Sequence, residues 1–390
     1  MSDTLQRLTP TTTRPAPAVP ADAGPSQQVP HGARPSQVVP HESAPSHATP
    51  RPPGRRTVPG GLVLLLAAAA LIASVVLAVT VGPAQIGPLD VWRSIGAHLG
   101  IGTAPLTEIR DSIVWDLRLP RVLTAAAVGA GLAIAGAVMQ SLTRNPLADP
   151  YLLGLSSGAS LGAVGVIVLG LTVALPLAAF VGALAALALA LTLAGAMGTI
   201  TPTRTVLAGL AVSQAAAAAT SFVIFWSADG DSYREILSWL MGSLGAATWD
   251  SVGIAVPAVL VVGGLLVLAA GTLDAFAFGD TTAASLGVDV RRTRWLLLTG
   301  VALLTGALVA VSGAIGFVGL VLPHATRMLV GARHRLLLPL TALVGATFLV
   351  WADTAARTLF EPRELPVGIL TALVGAPVFA WLLWRRRAAS

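Results

Sequence analysis

The chain has no cysteine and no lysine; all 24 of its basic side chains are arginine. The first absence excludes disulfides and thiolate metal sites. The second excludes a phosphate-binding loop, which closes its glycine-rich turn with a lysine that reaches the β- and γ-phosphates. The chain is therefore not expected to be an ATP-hydrolysing enzyme by itself. Charge of either sign is also scarce. Charged residues make up 11% of the sequence and hydrophobic ones 55%, whereas a soluble domain carries roughly 25% charge.

What remains is gathered into continuous apolar runs, several near the ~20 residues needed to cross a ~30 Å hydrocarbon core. The runs do not alternate, so a transmembrane barrel does not fit. The pattern predicts an all-α, polytopic membrane protein of about ten transmembrane helices. They fall at about 60–80, 120–141, 151–169, 174–197, 203–225, 250–270, 294–311, 313–330, 336–356 and 367–384. An even number puts both termini on one side. Arg55 and Arg56 precede the first span and Arg385, Arg386 and Arg387 follow the last, so the positive-inside rule places both termini in the cytoplasm. Arg144, Arg204, Arg291, Arg292, Arg294, Arg327, Arg333 and Arg335 fall on the same side, while Asp90, Glu108, Asp111, Asp116, Glu235 and Glu364 fall on the other. The net charge of +6 is thus a topology signal, and no nucleic-acid partner is expected.

Residues 1–58 form a tail rich in Pro, Ser and Ala, with a ten-residue near-repeat starting at Pro25, Pro35 and Pro45. Such a composition cannot bury a core and reads as a disordered cytoplasmic segment. His31, His41 and His47 in it are read as part of a solvated linker rather than as metal ligands. Residues 59–390 are the transmembrane domain.

Inside the second span, small residues recur at Gly129, Gly131, Ala133, Gly136 and Ala137, which permits close backbone approach between membrane helices. A related pattern returns 177 residues later, from Gly306 to Gly331. With the two copies in opposite orientations, either an inverted transporter repeat or chance likeness between small-residue helices accounts for it. The middles of the spans are almost free of charge, and Asp353 and Arg357 lie near the outer end of the ninth. A secondary transporter driven by protons or sodium keeps ionisable groups inside the membrane. An embedded enzyme would cluster His, Asp and Glu there. Neither pattern is present, so the energy for any transport must come from a separate chain. His324, beside Pro323 and without a second ligand in range, reads as a packed histidine; no metal site is expected.

The run from Arg118 to Gly162, RLPRVLTAAAVGAGLAIAGAVMQSLTRNPLADPYLLGLSSGASLG, resembles the FecCD family, the permeases of bacterial ABC importers for iron chelates (siderophores), haem and vitamin B12. The segments Ser238–Thr248, Leu273–Arg294, Gly313–Arg335 and the stretch from Glu364 onward resemble it too, so the likeness covers about 60–390. It implies a type II ABC importer permease fold with a homodimeric pathway in the bacterial cytoplasmic membrane. It also implies an ATP-binding cassette ATPase subunit carrying ATP and Mg, an extracytoplasmic substrate-binding protein, and a second permease chain, either identical or a paralogue. No cofactor belongs to this chain. The cargo expected is an iron-siderophore complex, with cobalamin or haem as alternatives within the family.

The same resemblance distributes roles. Arg118, Arg121 and Arg357 match positions that pair with glutamates of the binding protein; guanidinium–carboxylate pairs suit this, although arginines at helix ends also snorkel. Asn145, Leu147 and Thr203 match the cytoplasmic gate at the dimer axis, where Asn145-Pro146 also reads as plain turn chemistry. The motif GDxxAxxLG at Gly279–Gly287 matches the coupling helix that docks on the ATPase, through Asp280, Thr281, Ala284, Leu286 and Gly287. Asp280 is expected to cap a short helix Thr281–Leu286 and Gly287 to close it.

Overall fold

A computed structural model describes residues 59–387, apart from 83, 104–105, 172–174, 197, 199–200, 228–229 and 361–362. The tail 1–58 lies outside the described residues, as do the side chains of Arg385, Arg386 and Arg387. All regular structure among the described residues is helical.

Fourteen helices follow one another: α1 Gly60–Thr80, α2 Pro88–His98, α3 Glu108–Leu142, α4 Leu155–Val168, α5 Leu175–Ala196, α6 Pro202–Ser227, α7 Gly230–Leu240, α8 Trp249–Leu268, α9 Ala270–Ala277, α10 Asp280–Ser285, α11 Val290–Ser312, α12 Val318–Val330, α13 His334–Thr358 and α14 Val367–Arg387. Seven are long and apolar enough to cross a membrane, and three shorter apolar helices begin at Leu155, Val318 and Val367. These ten correspond to the ten spans expected from the runs. Of the helices between spans, α2, α7 and α9 were not expected, whereas the short α10 was.

α3 is the axis of the bundle. From Leu119 to Leu142 nearly every residue is buried, and its small residues explain how. A Cβ on Gly129 would overlap the Gly345 carbonyl of α13, and one on Gly136 would overlap the Gly319 carbonyl of α12. The same logic joins α4 to α5, where Gly158 meets Gly182 and Gly162 meets Ala178. Lipid is as apolar as leucine, so such helices associate through close van der Waals contact rather than through the hydrophobic effect. The outer helices show the complementary pattern: Leu65, Leu66 and Ile72 on α1, and Leu260 and Leu268 on α8, are all exposed. In a bilayer that face meets acyl chains.

Two pairs of consecutive spans are joined by non-helical breaks, and the breaks touch. After α3 the chain turns at Thr143–Asp149, forms one 3-10 turn at Pro150–Leu153, and starts α4 through Gly154 in the left-handed region at φ 83°. After α11 it runs unhelical through Gly313–Gly316 and starts α12 through Phe317 at φ 68°. Non-helical backbone within a membrane domain must find its partners inside the protein. Here Tyr151 Oη donates to the Ile315 carbonyl at 3.0 Å, Gln140 Nε2 donates to the Leu320 carbonyl at 2.9 Å, and Asp149 Oδ1 accepts from the Tyr151 amide at 2.8 Å.

These breaks correct the internal echo. At an offset of 177 the turn 143–149 falls on 320–326, which is inside α12, while 313–317 falls on 136–140, inside α3. The shared glycines and alanines therefore mark helix contacts rather than equivalent positions. The elements that do correspond are α3 with α11, and α4 with α12: each is a long helix, a break and a half-length helix, run in opposite directions.

The bundle has two ends. The starts of α1, α11 and α13 share one with Leu142 and α10. The ends of α1, α11 and α13 share the other with Arg121 and Glu364.

Candidate functional site

At the Arg121 end, the three expected arginines are together and all point inward. Arg118 sits on a π-helical turn, Ile113–Arg118, that leads into the α-helical part of α3. It donates to the carbonyls of Thr80 (3.3 Å), the last residue of α1, and of Ala84 (2.6 Å) just beyond it. Arg357 donates to the Ala78 carbonyl at 2.6 Å. Arg121 binds the Asp353 carboxylate through Nε and Nη2, at 2.8–3.1 Å, and reaches Glu364 Oε2 through Nη1 at 2.7 Å. Asp353 is 1% exposed and the three arginines are 4–8% exposed, but the Glu364 side chain is 48% exposed. A π-turn widens the helix by one residue per turn and is frequent at functional positions. The network bolts α1, α3 and α13 together and hangs the segment before α14 from them. Sequence reading placed these groups at one rim but missed that Asp353 and Glu364 already hold Arg121.

A second outlying contact lies beside it. The Ser94 hydroxyl donates to Asp111, and His98 Nε2 lies 2.6 Å from the other Asp111 oxygen. The His98 ring stacks on Trp115 at 4.2 Å. This clasp fastens α2 to the start of α3.

At the opposite end, α10 is a single short helix with an exposed face. Thr281, Thr282, Ala284 and Ser285 are exposed and Ala283 is buried; Phe278 before it is 77% exposed and Leu286 after it 67%. Its caps differ from expectation. Gly279, at φ 102°, is the N-cap, and Asp280 is the first helical residue. The Asp280 carboxylate is occupied elsewhere: Arg294 Nη2 donates to both of its oxygens, at 2.8 and 2.9 Å. An ion pair with an arginine on the next helix outcompetes a local cap. The C-terminal expectation fits: Gly287 is left-handed at φ 83°, its amide donates to Ala284 and the Val288 amide donates to Ala283, a paired closure that satisfies the last carbonyls.

The same end is braced from below. The Arg294 guanidinium lies 5.5 Å from the Phe276 ring centroid. Asp274 Oδ1 accepts from the His334 amide at 3.0 Å and sits 2.7 Å from His334 Nδ1. α9, α10, α11 and α13 are thus tied to one another under α10. Asn145 and Leu147 are exposed in the turn after α3, where Asn145 Oδ1 accepts from the Leu147 amide at 2.9 Å. Thr203 is exposed in the first turn of α6, at the same end. Arg144, left-handed at φ 49°, links the two parts: a Cβ on Gly279 would lie 3.3 Å from its Nη1. No group of three His, Asp or Glu side chains capable of holding a metal stands together among the described residues.

Among the described residues, ten apolar helices, two pairs of them joined by breaks that touch, with a braced helix presented at one end, define a membrane transport permease. The chain belongs to the FecCD transport family, whose sequence model matches residues 70–385. It is 48% identical over 280 residues to the cobalamin import system permease BtuC of Halobacterium salinarum, covering 71% of this chain and 74% of that one. It is 44% identical over 329 residues to the hemin transport system permease HmuU of Yersinia pestis, covering 81% and 94%. It is 45% identical over 306 residues to the Fe(3+) dicitrate transport system permease FecD of Escherichia coli, covering 75% and 94%. Its fold matches a solved structure, assigned to the metal-chelate type of ABC transporter in an inward-facing conformation, with a TM-score of 0.74, 31% identity, and coverage of 83% of this chain and 99% of that one. The chain is accordingly an ABC importer permease and a multi-pass protein of the cytoplasmic membrane. Family membership implies an ATPase, a substrate-binding protein and a permease dimer as working partners.

Proposed function

We propose that this chain is the permease of an ATP-driven importer for an iron chelate of the siderophore class. The observation that carries the ATP-driven part is the presented helix α10. Its outer face and the flanking Phe278 and Leu286 are exposed, while Arg294, Gly279 and Gly287 fix its geometry. A rigid, partly apolar projection on short caps suits a groove on a partner. Residues Asp280, Thr281, Ala284, Leu286 and Gly287 form that projection, and the ATPase, holding ATP and Mg, is the partner. No covalent chemistry is assigned to this chain.

The end bearing α10 then faces the cytoplasm, and the arginine distribution supports both termini on that side. Asn145, Leu147 and Thr203 line the cytoplasmic gate, next to the axis of a homodimer. Arg118, Arg121 and Arg357 form the outer seat of the binding protein. Because all three are buried, the seat works by exchange: a docking carboxylate competes with the half-exposed Glu364 for Arg121 Nη1.

Relatives named for cobalamin, hemin and ferric dicitrate share this likeness, and those named for ferric citrate are the support for an iron chelate as the cargo. The test is uptake by vesicles that hold this chain with its co-purified ATPase and binding protein. Radiolabelled ferric siderophore should accumulate only with ATP, and more than cobalamin or haem. Accumulation of cobalamin or haem instead would replace the cargo and keep the class. Uptake driven by a proton or sodium gradient would overturn the class and turn attention to the buried Arg121–Asp353 pair.

A further inference from the structure

A cavity of about 830 Å³ lies at the Arg294 end, between the last turns of α5 and the first turns of α11. It is divided by chemistry. Arg291, Arg294 and Trp295 line it along the first turns of α11, with Leu298 a turn further on, and Leu191 and Thr192 line it from α5. Seven residues separate Arg291 from Leu298 along α11, which is about 10 Å of helix. The cavity therefore has a cationic end and an apolar end, one acyl segment apart.

Its surroundings say which solvent it opens to. Leu189 and Leu193 on α5 and Leu296 on α11 flank it, and they are 57%, 40% and 64% exposed. Two spans that turn exposed leucines outward at this level face acyl chains rather than water. Arg204 reaches the lining residue Gly198, and the two carboxylates nearby are occupied. Asp280 is held by Arg294, and Asp289 caps α11 by accepting from the Arg292 amide at 3.0 Å. Arg291 is exposed and makes no ion pair with any described residue.

We propose that this cavity binds one anionic phospholipid, with its phosphate on Arg291 and an acyl chain along Leu191 and Leu298. A guanidinium offers phosphate two parallel N–H groups. Basic pockets between spans at a cytoplasmic membrane face select anionic headgroups, and an indole such as that of Trp295 sits at headgroup depth. A lone surface arginine attracts every anionic headgroup weakly; a groove that also takes the chain holds one. Arg294 is shared between this cavity and Asp280, so the lipid would lie one side chain away from α10.

The test uses the chain with its co-purified ATPase, extracted in detergent and supplied with dioleoyl phosphatidylglycerol or dioleoyl phosphatidylcholine. Lipid retained per chain is read by native mass spectrometry. One phosphatidylglycerol should be retained per permease chain, at least about tenfold more strongly than phosphatidylcholine, whose phosphate is offset by a choline cation that Arg291 and Arg294 repel. Arg291→Gln should reduce retention of phosphatidylglycerol by a similar factor. Leu191→Trp, which fills the groove and leaves the charges alone, should reduce it as well. Equal retention of both lipids by the unsubstituted complex would overturn the proposal, whether or not the variants fold. Undiminished retention in Leu191→Trp would overturn it too. Displacement by millimolar inorganic phosphate would show a free-anion site in place of a lipid site.

Discussion

The two ends of the bundle each rest on an arginine–carboxylate contact, and they use it in opposite ways. At one end Arg121 and Asp353 lie inside the protein, bonded through two nitrogens, and three helices converge on them. At the other, Arg294 holds Asp280 at the edge of a helix whose outer face is bare. A buried pair gives little net stability when complete, and breaking it is expensive because one charge is left without compensation. A partly exposed pair contributes only modestly to folding, yet it fixes where a projecting element points. The first contact keeps the bundle closed; the second presents a surface.

The largest effect should come from breaking the first contact. Asp353→Ala leaves the Arg121 charge buried with only Glu364 opposite it and should destabilise the fold by roughly 3–5 kcal/mol. Thermal unfolding in detergent reads this directly, and an unchanged midpoint would mean that the network is not a brace. Next comes the presented helix. Replacing Thr281–Leu286 with a Gly-Ser linker should leave the bundle folded but abolish ATP-dependent uptake and release the ATPase; a complex that still purifies intact and transports would remove the role of α10. The smallest effect separates the seat from the brace. Charge reversal at Arg118 or Arg121 would put a carboxylate in a buried site and confuse docking with folding. Glu364→Gln avoids this, because Glu364 is half exposed and Asp353 still neutralises Arg121. It should cost less than about 1 kcal/mol in stability and tighten capture of the binding protein severalfold in a pull-down. Weaker capture would sink the exchange of carboxylates at Arg121.

Much of this was readable from the chain. Apolar length alone located the spans, because ~20 residues of unbroken hydrophobicity have few other uses. Glycines at 129 and 136 announced close contacts, although only the structure shows that Gly345 and Gly319 are their partners. The short helix was found, and Gly287 closes it as expected. Asp280 was misassigned because a cap is a local rule, and Arg294, fourteen residues away, outbids it. The start of α12 was placed at Gly313 instead of Val318, since an apolar run does not reveal where backbone hydrogen bonds pass to a side chain such as Tyr151. The inward turn of Arg118, Arg121 and Arg357 was hidden for the same reason: sequence gives a residue's depth along a helix, but not its azimuth. α7, Gly230–Leu240, was skipped because its polar face interrupts hydropathy; its amphipathic spacing was the signal that could have found it.

At the contact of Gly136 with Gly319, one main chain lies directly on another with no side chain between them. Interlocked side chains must lift out of their holes before packed helices can shift, which is why most cores jump between arrangements instead of gliding. Backbone laid on backbone lacks that slack: it has no side chain to rearrange, and Gln140 of α3 ties itself to the Leu320 carbonyl of α12 one residue on. The centre of this permease therefore has no spring: a single methyl group on Gly136 would have to push one whole helix away from another.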